Sequence, residues 1–494
     1  MYDENLLRYQ DYVAFLRRFD RDLLLVGFSQ LGRGWDGNPF DASGRPKQNL
    51  PWNIAGAASV VLARGSGGGQ TPTLTDCSRI VYDYARIEPP RAEDGTVNAS
   101  GLLAHWVYQQ WPFNRVNRDQ WARSVALFST EFPRGYRPEA LTPGWEMELF
   151  GTSLRDFIAV ALLLWATTNQ GSAYPYTWTP EMEHIRDALG GQEAIDRITI
   201  ANFATDFEGF KEARKRAVQA TAATAGQQYL REPFAFNPLF ATPLVAGVLR
   251  DAWLAPCAPA VNLRVSTVGI VYAGVVKWGE KFHHDLGVLF EQYVGTQLRQ
   301  IESASISPEV KYGPKKSRKS TIDWFVIAPD FVVLVECKSA IPNQAIREGL
   351  VEQSAAYARA LRKGIYQLNS TWRLANEGVP ELDFIPTDRP IIGLVATLGD
   401  FDLADEDFAR SELPDPEFPI CLVSVEFIDS FVTMDYDDMR NMMAEVPDFT
   451  DSRGFIQNMA WRKGRPGRAN VILDESYSSI PTIGFARALG IDTH

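Results

Sequence analysis

The chain has 494 residues, 45% of them hydrophobic and 12% aromatic, with a formal net charge of −12 at pH 7. That length allows about three domains with sizeable cores, and the composition excludes a fibrous or disordered chain. The acid excess excludes a general basic coat for nucleic acid, so any polyanion has to be met by local patches.

The opening stretch, Met1 to Gln10, is polar and charged and has no signal-peptide core. The most apolar run, Phe157 to Ala166, is ten residues long, too short to span a bilayer. The expectation is a cytoplasmic protein with reduced thiols and no membrane partner. Cys77, Cys257, Cys337 and Cys421 include no C-x-x-C pair, which gives a structural zinc site no support.

In chain order, Leu6 to Leu25 predicts an amphipathic helix, and Ser59 to Ala63 a strand entering the loop Gly65 to Gly69. That loop lacks the Gly-Lys-Ser/Thr ending of a phosphate-binding loop and is read as a turn. Residues 153 to 225 are predicted mostly helical, one helix beginning at Thr179 and another running from Phe207 to Ala223. Arg214, Lys215 and Arg216 on the latter suggest a solvated face or a second nucleic-acid contact. His105 and His184 look structural. Proline-bearing stretches at 237–243 and 255–259 mark a transition near residue 265.

Beyond it, apolar residues at 286, 289, 290, 293, 294, 298 and 301 repeat with helical period, with Glu291 amid the stripe. His283 and His284 open this helix, but neighbours on a helix diverge by about 100° and make poor co-ligands. Five bases follow, Lys311, Lys315, Lys316, Arg318 and Lys319, with no acid among them and Gly313-Pro314 to keep the segment a loop. Such a cluster suits phosphate contacts.

Thr321 to Lys338 reads as two apolar strands about Pro329-Asp330. A two-residue turn there sets Asp323 across from Glu336, while Glu336 and Lys338 share one face because side chains alternate along a strand. Like charges directly opposed on a sheet are unfavourable, and a buried unpaired carboxylate costs several kcal/mol. A divalent cation between Asp323 and Glu336 removes that penalty. Lys338 adds a positive charge suited to orient water or to meet charge on a phosphate.

Downstream, 343 to 363 predicts a helix closed by Gly364, with Gln353 in line between Leu350 and Tyr357. Arg389 to Thr397 and Ile420 to Phe427 predict further strands, the first buried on both faces. Asp400 to Glu417 reads as an acidic surface loop, and Arg462 to Arg468 as a second basic cluster. No internal repeat is evident.

Asp323, Glu336-x-Lys338, Glu291 on the preceding helix and Gln353-x-x-x-Tyr357 on the following one resemble, in this order, the PD-(D/E)xK nucleases, the restriction-endonuclease-like superfamily, with the Q-x-x-x-Y of its RecB-like members. The resemblance covers about 280 to 430. It implies an α/β/α core with a mixed sheet, Mg2+ or Mn2+ held by Asp323, Glu336 and Glu291, and Lys338 placing or activating water. It further implies that Gln353 and Tyr357 support the site. The nuclease region has only Cys337 and Cys421, too few for the iron-sulphur cluster of some RecB-like members.

The expected organisation is a largely helical α+β region over 1–265 and a nuclease domain over 266–494. The expected activity is hydrolysis of DNA, endonucleolytic, with a nuclease acting on RNA as one alternative. By analogy of layout the N-terminal half senses or recruits, as in prokaryotic anti-phage defence effectors, through a partner protein or a second copy. The alternative is a non-catalytic nucleic-acid-binding or scaffolding module on the same fold.

Overall fold

The computed structural model describes residues 6–45, 47–88, 99–110, 113, 118–171, 173–175, 178, 183–221, 228, 231–351, 354–404, 406–449 and 468–483. The chain opens with α1 (Tyr9–Leu16), α2 (Arg21–Leu31), α3 (Pro51–Arg64), α4 (Leu74–Tyr84) and α5 (Ala99–Gln110). The single helix expected over 6–25 is two. Asp20 breaks it by capping α2, its carboxylate accepting from the amides of Asp22 and Leu23, both at 3.0 Å. Its second oxygen accepts from the Gly68 amide at 2.8 Å, so the glycine loop is a turn tied to this cap. The strand expected at 59–63 is instead the last turns of α3, begun by Pro51 at its first turn. Nearly every residue of α3 is buried, and without a polar face its β-branched run carries no helical period.

The next elements are α6 (Arg118–Phe128), α7 (Trp145–Phe150), α8 (Leu154–Asn169), α9 (Glu183–Ala188), α10 (Gln192–Phe203) and α11 (Phe207–Thr221). A small sheet joins β1 (Ala204–Thr205), β2 (Leu244–Leu249) and β3 (Ala252–Leu254) in that order. The expected helix start at Thr179 lies outside the described residues. Arg214 is not on a solvated face: it is buried and donates to the carbonyls of Ala235 and Phe236, both at 2.8 Å, and of Glu232. It ties α11 to the segment that follows and is closed to nucleic acid.

Three helices lead into the large sheet: α12 (Pro259–Val265), α13 (Thr267–Trp278) and α14 (Glu280–Leu298). Among the described residues no single helix is long and apolar enough to cross a membrane; α12 and α13 reach that length only as a pair bent by 58°. The strands are β4 (Ser305–Pro308), β5 (Lys311–Tyr312), β6 (Lys319–Ser320), β7 (Trp324–Ile327), β8 (Val332–Lys338), β9 (Ile391–Thr397) and β10 (Ile420–Ser424). The later helices are α15 (Gln344–Arg347), α16 (Ser354–Asn376), α17 (Asp407–Arg410), α18 (Val425–Phe431), α19 (Tyr436–Phe449) and α20 (Val471–Ser478).

The large sheet is open and mixed, in the order β10-β9-β8-β7-β4. β4, β7 and β8 pair antiparallel; β8, β9 and β10 pair parallel. One face, with Val333, Val335, Leu394 and Val423, packs against Leu289, Phe290 and Tyr293 of α14. The other, with Leu334, Val395 and Leu422, packs against Leu361, Ile365 and Leu368 of α16. This makes three layers, helix, sheet and helix. Every residue of β9 is buried, as its continuous apolar run implies. The acidic segment 400–417 is less a loop than a strap: Phe401, Leu403, Ala409 and Leu413 are buried, and Glu412 and Glu417 pair with Arg362 and Arg373 of α16.

The packing is not divided at residue 265. α6 to α8 share one apolar core with α14 and the large sheet. A second core gathers α1 to α4 with Phe210, Leu239, Val245 and Leu254.

Candidate active site

β7 and β8 are joined by Pro329-Asp330. Trp324 pairs with Val335 and Ile327 with Val332, the register that a two-residue turn imposes. Continued by one residue, it sets Asp323 opposite Glu336. The amide of Cys337 donates to Asp323 Oδ2 at 2.7 Å and fixes that carboxylate beside the end of β8. Glu336 is 1% exposed. Lys338 Nζ donates to Glu336 Oε1 and, at 3.0 Å, to Gln367 Oε1 of α16. Among the described residues, Glu336 Oε2 is buried without a hydrogen-bond partner.

On the opposite layer, the Trp324 indole donates to the Glu291 carbonyl at 2.9 Å and holds α14 against the hairpin. The Glu291 carboxyl is pushed up to about 7 by burial, then by the charges of Asp323 and Glu309. Glu336 is pushed up to about 8 by burial and by Asp323, against the pull of Lys338. Burial also raises Asp323, against its bond from Cys337 and the charge of Lys338. All three shifts have burial as their first cause, with the mutual repulsion of the acids adding to those of Glu291 and Glu336.

Glu309 was missed from sequence. It follows β4, whose last residue, Pro308, pairs with Trp324, and so it comes up beside Asp323. Only the sheet order reveals it. Gln367 was missed for a related reason. The helix expected over 343–363 is the short α15, a turn through Gly349 at φ +83°, and α16, which continues past Gly364. Gly364 does not close the helix. An added Cβ there would lie 2.9 Å from a Val395 methyl and 3.6 Å from Glu336 Cγ, so its lack of a side chain lets α16 cross the sheet beside the acids. The residue presented to Lys338 is therefore Gln367.

Gln353 lies outside the described residues. Tyr357 is buried, its hydroxyl bonded to that of Tyr108 at 2.6 Å and its ring against Phe401. It serves the core of the α16 layer.

Lys311, Lys315, Lys316, Arg318 and Lys319 are all exposed; Lys311 and Lys319 stand on the short antiparallel ribbon of β5 and β6, and Lys315, Lys316 and Arg318 lie in the loop at its tip. The foot of the ribbon, Ser320, joins Arg359, Lys363, Tyr366, Gln367 and Ser370 of α16 around a shallow groove of about 310 Å³. The groove is thus lined by the bases of α16, with the β5–β6 ribbon adjoining it at Ser320, and it includes Gln367, the partner of Lys338. His283 and His284 are exposed at the start of α14. Of the second basic cluster only Arg468 lies among the described residues, and it binds Glu302 at 3.1 Å and the Val432 carbonyl at 3.2 Å.

Among the described residues, no three His, Cys, Asp or Glu side chains stand close enough together to enclose an ion. The donors nevertheless suit Mg2+ or Mn2+, being carboxylates, one of them with a buried oxygen that has no partner among the described residues. Compared with family models, curated proteins and solved structures, the chain matches none.

Proposed function

We propose that this protein is a metal-dependent nuclease that hydrolyses phosphodiester bonds of DNA, with a PD-(D/E)xK site on β7 and β8. The single observation that carries the reading is Glu336: its buried, unpartnered Oε2 shares the end of one hairpin with Asp323 and Lys338. Asp323 and Glu336 would hold the cation, with Glu291 assisting from α14. When bound, Mg2+ or Mn2+ supplies positive charge against a phosphate and lowers the pKa of water.

The chain's own part is positioning. Lys338 is held between Glu336 and Gln367, and Gln367 also lines the groove. Arg359, Lys363 and the ribbon bases offer charge to the phosphates leading to it. The exposed Tyr366 ring, 55% accessible, offers an unpaired base a stacking surface. The restriction-endonuclease-like arrangement of the core is part of this proposal and rests on the mixed sheet between α14 and α16.

The test is cleavage of supercoiled plasmid, linear duplex and RNA with Mg2+, Mn2+ or a chelator. The expected outcome is metal-dependent nicking of circular DNA, reduced at least about a hundredfold in Lys338→Ala and Glu336→Gln. Equal activity in wild type and both variants would overturn the assignment of the site, and cleavage of RNA alone would overturn the choice of DNA.

A further inference from the structure

A second cavity, of about 620 Å³, lies between the α12–α13 pair, α15 and the segments that leave β8 and β9. Its size is that of a small-molecule site, and such sites combine apolar walls with a few converging polar groups. Arg264 and Arg347 supply the polar groups here.

Arg264 is 9% exposed, and among the described residues its Nη1 has no hydrogen-bond partner. Its Nε donates to the Asn202 carbonyl at 3.3 Å, and the guanidinium lies over the rings of Phe157 and Phe150 at 5.0 and 5.7 Å. Burial lowers its pKa to about 10, which leaves it charged at neutral pH. Arg347 donates to the Tyr272 hydroxyl at 2.6 Å and the Tyr108 carbonyl at 3.3 Å. Among the described residues neither arginine forms an ion pair. The remaining arginine of the wall, Arg123, is neutralised by Asp429 and Glu426. The wall also holds acids: Glu348 accepts from the Phe236 amide and from Gln344, and Asp400 and Asp402 have contacts of their own.

A buried cation with no counter-charge is unfavourable by several kcal/mol unless an anion meets it. We propose that this cavity binds a small organic anion with an apolar or aromatic body, its acid group on Arg264 and Arg347 and its body against Tyr272, Ala273 and Leu398. Leu398 directly follows the last residue of β9, and Ile341, also on the wall, lies three residues past Lys338. An occupant therefore rests against the segments that carry the sheet out of the candidate active site. The proposal stands on the cavity alone and does not need the nuclease reading.

The experiment titrates the full chain with 8-anilinonaphthalene-1-sulfonate, an aromatic anion that fluoresces on leaving water. Its neutral counterpart N-phenyl-1-naphthylamine is the control. Saturable binding of one sulfonate per chain is expected, at least tenfold tighter than the neutral dye. Ala273→Trp, which fills the cavity, and Arg264→Gln should each weaken it tenfold or more. Val276 lines the rim and is 88% exposed, so Val276→Glu leaves the core intact and should weaken the sulfonate several-fold while sparing the neutral dye. Circular dichroism and melting curves confirm that each variant is folded. Equal binding of both dyes, or a titration unmoved by Val276→Glu and Ala273→Trp, would overturn the proposal.

Discussion

At Glu336 the ammonium of Lys338 favours the ionised carboxylate, while burial and the Asp323 charge favour the protonated one, and burial wins. A cation binds the deprotonated form, so Mg2+ affinity by calorimetry should rise with pH through about 8 and flatten in Glu336→Gln. The same shift acts on stability. The folded chain retains this proton between the ordinary glutamate range and about 8, where the unfolded chain has lost it. Without metal, stability should therefore fall as pH rises through that window. Urea melts of wild type and Glu336→Gln at pH 5 and pH 8 check this; a wild-type loss no larger than the variant's would contradict it. His105 has the opposite sign: burial lowers its pKa to about 4, so its contribution is lost as pH falls from the ordinary histidine range towards 4. Gln367, which only orients Lys338, is a positioning residue. Gln367→Leu should lower kcat about tenfold, shift the pH–rate profile and leave Mg2+ affinity unchanged.

Among the elements, the hairpin was legible because its register is local: one turn of known length sets every pair. α16 was not, because its start depends on how 339–351 turns back and its path on the bare surface at Gly364. Gly364→Val would drive a branched side chain into Val395 and Glu336 and should cost about 1–3 kcal/mol in denaturant melts. It should also displace Gln367, with a matching loss of cleavage. The β5–β6 ribbon belongs to the same scale. Its bases are exposed and, among the described residues, form no ion pair, so Lys315, Lys316 and Arg318 replaced together by Ser should leave melting unchanged. They should also lower the salt slope of DNA binding by about 0.9 for each phosphate contact removed.

Across the whole molecule, the two sides of residue 265 are joined by buried charge as well as by a common core. Arg123 of α6 binds Asp429 of α18 at 2.6 Å, and Tyr293 of α14 binds the other oxygen of Asp429 at 2.7 Å. Asp285 of α14 accepts from the amides of Glu139, Ala140 and Leu141 and from the Tyr136 hydroxyl. Asp429→Ala strands a buried guanidinium and should destabilise the chain by about 3–5 kcal/mol in thermal or denaturant melts. A change below about 1 kcal/mol would show that the two halves are held by apolar packing alone.

What the sequence determined by itself is whatever neighbours along the chain decide: the alternation placing Glu336 and Lys338 on one face, the turn that opposes Asp323 to Glu336, the helical stripe around Glu291 and the buried run of β9. What only the tertiary structure decided depends on partners far away in sequence. Glu309 joins the acids through the β4–β7 pairing, Gln367 reaches Lys338 because Gly364 lets α16 cross close to the sheet, and Tyr357 is drawn into the core by Tyr108. Arg214 is buried against the carbonyls of 232–236, and Arg264 against Phe157 of α8 and the Asn202 carbonyl of α10. Pairing across a tight turn follows from backbone geometry alone, whereas burial follows from the sum of packing over the entire chain.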